Sequence, residues 1–156
     1  MRVLENITYD ELQVGDYATF TKTLTEEQLV LFAAATCDEN PQSLTLESAK
    51  KDLLKVDIGY GMWSESLITA AISNVIPGPG TIYLEQQLKF DRKVEIGDTL
   101  TVKLTVHEKQ ERHRVILNCE VTNQDSDSVV SGEAKVIAPT EKVSIEQSEL
   151  PRIKII

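Results

Sequence analysis

Cations are scarce in this 156-residue chain: 16 Lys and Arg stand against 25 Asp and Glu, giving a net charge of -9. Nucleic-acid binders need clustered Lys and Arg to meet phosphates, so general nucleic-acid binding is excluded as a class. The one basic cluster, Lys109 with Arg112, His113 and Arg114, reads as a solvated hairpin tip, or alternatively as a local dock for a substrate phosphate. Long apolar runs are lacking too. The longest, Leu29 to Ala35, has seven residues where a spanning helix needs about 20, so no membrane span is expected. Met1-Arg2 leads into Val3-Leu4-Glu5 rather than a hydrophobic leader, so secretory export is not indicated and the expected location is the cytoplasm. Only two cysteines occur, Cys37 and Cys119, with no CxxC or Cys/His spacing. Both read as reduced packing residues, and neither a disulfide framework nor a structural metal is expected. The only histidines, His107 and His113, fall on a strand-hairpin-strand stretch and read as surface groups.

What is present divides into a helical first half and a stranded second half. Tyr17 to Phe20, after the turn at Val14-Gly15-Asp16, suits a strand. Thr25 with Gln28 three residues on forms a capping-box pattern, which predicts a helix over about Glu26 to Thr36 with Leu29, Phe32 and Ala33 on its buried face. Cys37-Asp38-Glu39-Asn40-Pro41 then stops it, because Pro41 holds Asn40 extended. A short helix is expected at Glu47 to Leu54. Gly59-Tyr60-Gly61 introduces a second long helix, about Met62 to Val75, whose apolar positions Trp63, Leu67, Ile68, Ala71, Ile72 and Val75 cover more than one stripe and predict burial on several sides.

After Pro77-Gly78-Pro79-Gly80 the apolar period changes from 3.6 to 2. Ile82, Leu84, Leu88 and Phe90 are expected to face one way. The sets Leu100 to Val106, Val115 to Val121 and Val130 to Ile137 complete three more strands. Thr140 to Ile156 reads as a surface tail in which Ile153, Ile155 and Ile156 are candidates for an edge strand. The expected organisation is a single domain over residues 1–140 with a tail at 141–156. Its class is α+β, an antiparallel sheet of about five strands wrapped around one long apolar helix.

Three segments in order resemble the MaoC-like dehydratases, the (R)-specific enoyl-CoA hydratases. They are Phe32-Ala33-Ala34-Ala35-Thr36-Cys37-Asp38-Glu39-Asn40-Pro41, then Ile58-Gly59-Tyr60-Gly61-Met62-Trp63, then Pro77-Gly78-Pro79-Gly80-Thr81-Ile82-Tyr83-Leu84 with Phe90 and Ile96-Gly97-Asp98-Thr99 in register after it. The variant is most similar to the hydratase-type domain fused to phosphate acetyl- or butyryltransferases in some bacterial proteins. The resemblance implies a hot-dog fold and a site around a pantetheine tunnel between two subunits. Its implied partners are an acyl-CoA or related pantetheine thioester, a second copy in a homodimer or a dimer of dimers or hexamer, and a phosphate acyltransferase. No metal or redox cofactor is implied.

Hydration of an enoyl thioester needs a water deprotonated as it attacks C3, a proton delivered to C2, and donors aimed at the thioester oxygen. In the family an Asp and a His hold the water, and the backbone N–H of a glycine opening the central helix serves the oxyanion, aided by the helix dipole. The resemblance places Asp38 at the family's Asp, Asn40 and Pro41 at its Asn-Pro and Gly61 at its oxyanion glycine. The family's two histidines are replaced by Ser43 and Tyr60. Taken alone, Asp38 before Asn-Pro is more often a turn-former than a base, Ser43 a polar loop residue or a water holder, and Tyr60 a wall residue or a proton donor. Glu65 and Ser66 are placed on the first turn of the central helix, with Ser66 a candidate for the acyl pocket. Losing a positioned acid/base costs about 10²–10⁴ in rate. Reduced or altered hydratase activity is therefore the expected function, with a non-catalytic thioester-binding or oligomer-forming module and a thioesterase as the alternatives.

Overall fold

The computed structural model describes residues 2–39 and 58–156. Its elements in chain order are β1 (Val3–Glu5), β2 (Tyr17–Thr23), α1 (Glu26–Thr36), α2 (Ile58–Asn74), β3 (Ile82–Phe90), β4 (Thr99–Lys109), β5 (Arg114–Thr122), β6 (Ser128–Ile137) and β7 (Ser144–Glu146). The expected helix at Glu47 to Leu54 lies outside the described residues.

Five strands form one antiparallel sheet in the order β2-β4-β5-β6-β3. Period-2 patterning sends Leu100, Val102, Leu104 and Val106 of β4 and Val115, Leu117, Cys119 and Val121 of β5 to one face, where all are buried. Against that face lies α2. Trp63, Leu67, Ile68, Ala71 and Ile72 are buried and Val75 is half-buried, but Met62, Thr69 and Ser73 on the opposite side are exposed, so α2 buries one broad face rather than the several sides its apolar positions predict. The sheet wrapped on a central helix is the expected hot-dog arrangement.

The strand β3 departs from strict alternation. The pairing with β6 skips Leu84, passing from Tyr83↔Val136 to Glu85↔Lys135. One extra residue reverses the facing of everything before it: Tyr83 and Leu88, five positions apart, both pack on the core, whereas Ile82, Leu84 and Phe90 are exposed. The expected common face of Ile82, Leu84, Leu88 and Phe90 is thus broken at the bulge. Opposite, Gly132 of β6 has φ +153, and a Cβ there would stand 2.0 Å from the Gln87 carbonyl oxygen. No other residue fits that close approach.

The ends of the chain hold more structure than the sequence suggests. β1 pairs with β7 in a separate two-stranded ribbon, so the edge strand of the terminal segment is Ser144–Glu146, while Ile153 to Ile156 form none. The ribbon is stitched on by Asn6, which is 1% exposed. Its Nδ2 donates to the Pro79 and Glu141 carbonyls at 3.2 and 2.9 Å, and its Oδ1 accepts from Val143 N–H at 3.0 Å. With its amide fully partnered, a buried Asn contributes to stability instead of costing it.

Candidate functional site

The site residue best defined by the backbone is Asp38. α1 begins at its expected cap, Thr25, whose hydroxyl accepts from Gln28 N–H at 3.2 Å. The reciprocal half of the capping box is absent: the Gln28 side chain turns to the Thr23 carbonyl and Lys22 instead. The helix ends with Cys37 in the left-handed region (φ 55, ψ 35). Cys37 N–H donates to Ala34 O at 3.5 Å and Asp38 N–H to Ala33 O at 2.9 Å, the two-bond pattern of a Schellman motif. Asp38 therefore leaves the helix in a fixed direction, half-buried. Cys37 is exposed, contrary to the packing role expected of it, because the left-handed turn carries its side chain away from the helix face that is buried.

Asn40 and Ser43 lie outside the described residues, as does the side chain of Tyr60. α2 starts at Ile58, four residues ahead of the expected Met62. Tyr60 and Gly61 consequently belong to its first turn, Glu65 to its second and Ser66 to its third. No acid occupies that first turn, so nothing within it offsets the positive end of the helix dipole. At Gly61 a Cβ would meet the Phe90 ring at 3.3 Å: the exposed ring at the end of β3 packs flush on the glycine. Ser64, fully buried, donates to the Gly61 carbonyl at 2.5 Å. Phe90 is a residue whose site position the pattern reading missed, since only the β3–α2 packing reveals it.

Ser66 donates to the Trp63 carbonyl at 2.5 Å and lines a cleft of about 510 Å³ between α1, α2 and β2. Phe20, Phe32, Trp63 and Leu67 give it apolar walls, and Lys22 and Arg2 are also among its lining residues. A second recess of about 380 Å³ is lined by Glu65, Thr69, Tyr83 and Leu84. There Thr69 donates to the Glu65 carboxylate at 3.1 Å and the Tyr83 hydroxyl to Gln86 Oε1 at 2.7 Å. Burial, with Cys119 and the Glu65 carboxylate nearby, holds the Tyr83 phenol well above its usual range, so it remains neutral and can donate but not act as a base. Burial likewise pushes the Cys119 thiol up to about 12, as its packing role requires.

Both histidines are exposed. His113 stacks edge-on against Tyr9 at 5.2 Å, at the tip of the β4–β5 hairpin. That tip neighbours the Ile82 end of β3 through Arg114↔Ile137 and Ile137↔Ile82, whereas Gly61 meets the Phe90 end. Within one protomer the basic cluster is thus at the opposite end of the sheet from the glycine. Among the described residues no cluster of His, Cys, Asp and Glu could hold a metal ion, and no helix is long and apolar enough to cross a membrane.

The sequence profile of the MaoC like domain matches residues 13–129. An (R)-specific enoyl-CoA hydratase of Rhodospirillum rubrum is 33% identical over 131 residues, 84% of this chain and 91% of that protein. A 3-hydroxybutyryl-CoA dehydratase of Methylorubrum extorquens is 34% identical over 137 residues, 87% of each. An unliganded (R)-hydratase structure from Pseudomonas aeruginosa superposes with a TM-score of 0.92 at 47% identity, covering 99% of both chains. The Aeromonas caviae (R)-hydratase gives 0.75 at 32% identity, covering 82% of this chain and 98% of that one.

Proposed function

Because this chain belongs to the MaoC-like dehydratase family, we propose that it binds acyl-CoA thioesters and carries out a slow or altered form of (R)-specific enoyl-CoA hydration. In this reading Asp38 holds and deprotonates the water that attacks C3, and Asn40 positions it. The Gly61 N–H faces the thioester oxygen as negative charge develops there. Ser43 and Tyr60 stand where the family has histidines. Without a positioned imidazole the barrier rises by roughly 3–5 kcal/mol, at 1.36 kcal/mol per tenfold in rate.

The observation that carries this reading is the backbone-pinned Asp38 at the end of α1, at the position of the family's acid. Hydration of crotonyl-CoA, followed by loss of enoyl absorbance, tests it: purified protein turns over slowly and Asp38→Ala abolishes the rate. Equal rates in both proteins would sink it. Binding without turnover would instead support the non-catalytic reading, which the replacement of His by Ser43 favours, and release of free CoA thiol would indicate hydrolysis.

The reading includes a homodimer joined through β3. Among the described residues that edge is unpaired in the sheet, and it exposes Ile82, Leu84 and Phe90, an arrangement that solitary sheets avoid. The opposite edge, β2, carries three Thr and one Lys and suits solvent.

A further inference from the structure

The cleft between α1, α2 and β2 faces away from Gly61. At about 100° per residue, its wall residues Trp63, Leu67, Ala70 and Asn74 stand roughly 180–240° around α2 from Gly61. Gly61 itself packs on Phe90 of β3, and β2 and β3 are the two opposite edges of the sheet. Neither Gly61 nor Asp38 lines the cleft. Hydration at Gly61 therefore leaves it without a role.

Its make-up departs from that of the chain in two ways. Acids account for 25 of the 156 residues, yet among the described residues no Asp or Glu lines the cleft, whereas Arg2 and Lys22 both do. Aromatic side chains are few, yet the single Trp and two of the three Phe of the chain, Trp63, Phe20 and Phe32, stand in its walls. A recess of about 510 Å³ with apolar walls and a few charged groups of one sign has the size and character of a small-molecule site.

Both cations are tied to the fold. Lys22 Nζ donates to the Gln28 side-chain oxygen at 3.1 Å, and the Arg2 backbone is fixed by Gln147 N–H, which donates to its carbonyl at 2.8 Å. Among the described residues neither cation is in an ion pair, so their charge is free to meet a ligand. A guanidinium and an ammonium suit a carboxylate, and the aromatic walls suit an apolar body. Arg2 falls outside the 13–129 stretch matched by the family profile, so this pair of cations is no part of what defines the family domain.

We propose that this cleft is a second binding site, for a free carboxylic acid with an apolar body. The carboxylate meets Arg2 and Lys22, the body lies against Phe20, Phe32 and Trp63, and the thioester at Gly61 is bound independently on the other side of α2.

Calorimetric titration of the full chain with hexanoate, octanoate and decanoate tests this, with decyltrimethylammonium as a ligand of equal alkyl length and opposite charge. Emission from Trp63, the one tryptophan, locates the binding. One decanoate is expected per chain, with a saturable change in that emission and an affinity that rises about threefold or more with each two carbons. Decyltrimethylammonium should bind about tenfold or more weakly. Arg2→Gln and Lys22→Gln, both at exposed positions where substitution costs little stability, should each weaken decanoate by about threefold or more and leave crotonyl-CoA binding unchanged. Saturating crotonyl-CoA should not displace decanoate. Absence of decanoate binding, wild-type affinity in both variants, or displacement by crotonyl-CoA would each overturn the second site. Crotonyl-CoA that fails to bind at all overturns the thioester reading instead, and the charge variants still decide this one.

Discussion

Replacing Gly132 by Ala is the sharpest stability test of the sheet. The new Cβ would stand 2.0 Å from Gln87 O and 2.9 Å from Leu88 Cα. Both obstacles are backbone, so no side-chain rotation relieves them, and φ +153 adds strain for any residue with a Cβ. β3 must move off β6, its only strand partner among the described residues. Overpacking costs about 1–3 kcal/mol, strained backbone about 1–3 kcal/mol, and each broken ladder bond about 1 kcal/mol. A loss of about 3–5 kcal/mol is expected, which for a chain of this size lowers Tm by about 6–20 °C. Near-ultraviolet circular dichroism at fixed protein concentration reads it, the fixed concentration removing any contribution from association. Because β3 ends in Phe90 against Gly61, thioester binding should weaken in parallel. A Tm within about 2 °C of wild type would refute the packing argument.

Three other outcomes follow from single residues. Cys37→Gly relieves a left-handed residue at the end of α1 and should stabilise by about 0.5–1 kcal/mol, measured as a raised urea midpoint with unchanged slope. Asp91 accepts from Ser131 and Ser128 at 2.7 and 2.9 Å, and these hydroxyls, with Lys89, hold its carboxyl below the usual range. A depressed folded value gives stability that is present above the unfolded carboxylate value, about 3.9, and lost as pH falls through the folded one. The gap between wild type and Asp91→Ala in urea unfolding should therefore close below about pH 4; a gap that widens there would contradict it. Leu84→Lys puts a charge on the exposed bulge of β3 and should yield monomers in sedimentation equilibrium at concentrations where wild type is dimeric.

Much of this fold is legible from residue order because its elements carry strong local signals. The cap Thr25 and the run Leu29 to Ala33 fix α1, and the alternation in β4 and β5 fixes the centre of the sheet. The misses have local causes. Three-residue strands such as β1 and β7 are too short to show a period, and their pairing depends on Asn6, whose partners lie more than 70 residues away. The bulge at Leu84 leaves no mark in the apolar pattern, so the outward facing of Ile82 emerges only from the register with β6, while Phe90 keeps the face of Leu88 and is exposed at the end of the strand. α2 extends back to Ile58 through two glycines, residues that intrinsic propensity places outside a helix. At the site, Asp38 and Gly61 are legible through the resemblance, but the Schellman turn that aims Asp38 is not, since Cys37 lacks the glycine signature of that motif. The Phe90 ring on Gly61 joins residues 29 positions apart.

The central claim is that this scaffold presents a thioester to a hydration site in which Ser43 stands in the acid/base position. Crotonyl-CoA turnover by wild type beside Ser43→His addresses it most directly. A positioned imidazole is worth about 10²–10⁴ in rate, so the account predicts a gain of that order in Ser43→His, dependent on Asp38. A folded Ser43→His protein that binds crotonyl-CoA yet hydrates it no faster than wild type would contradict the account.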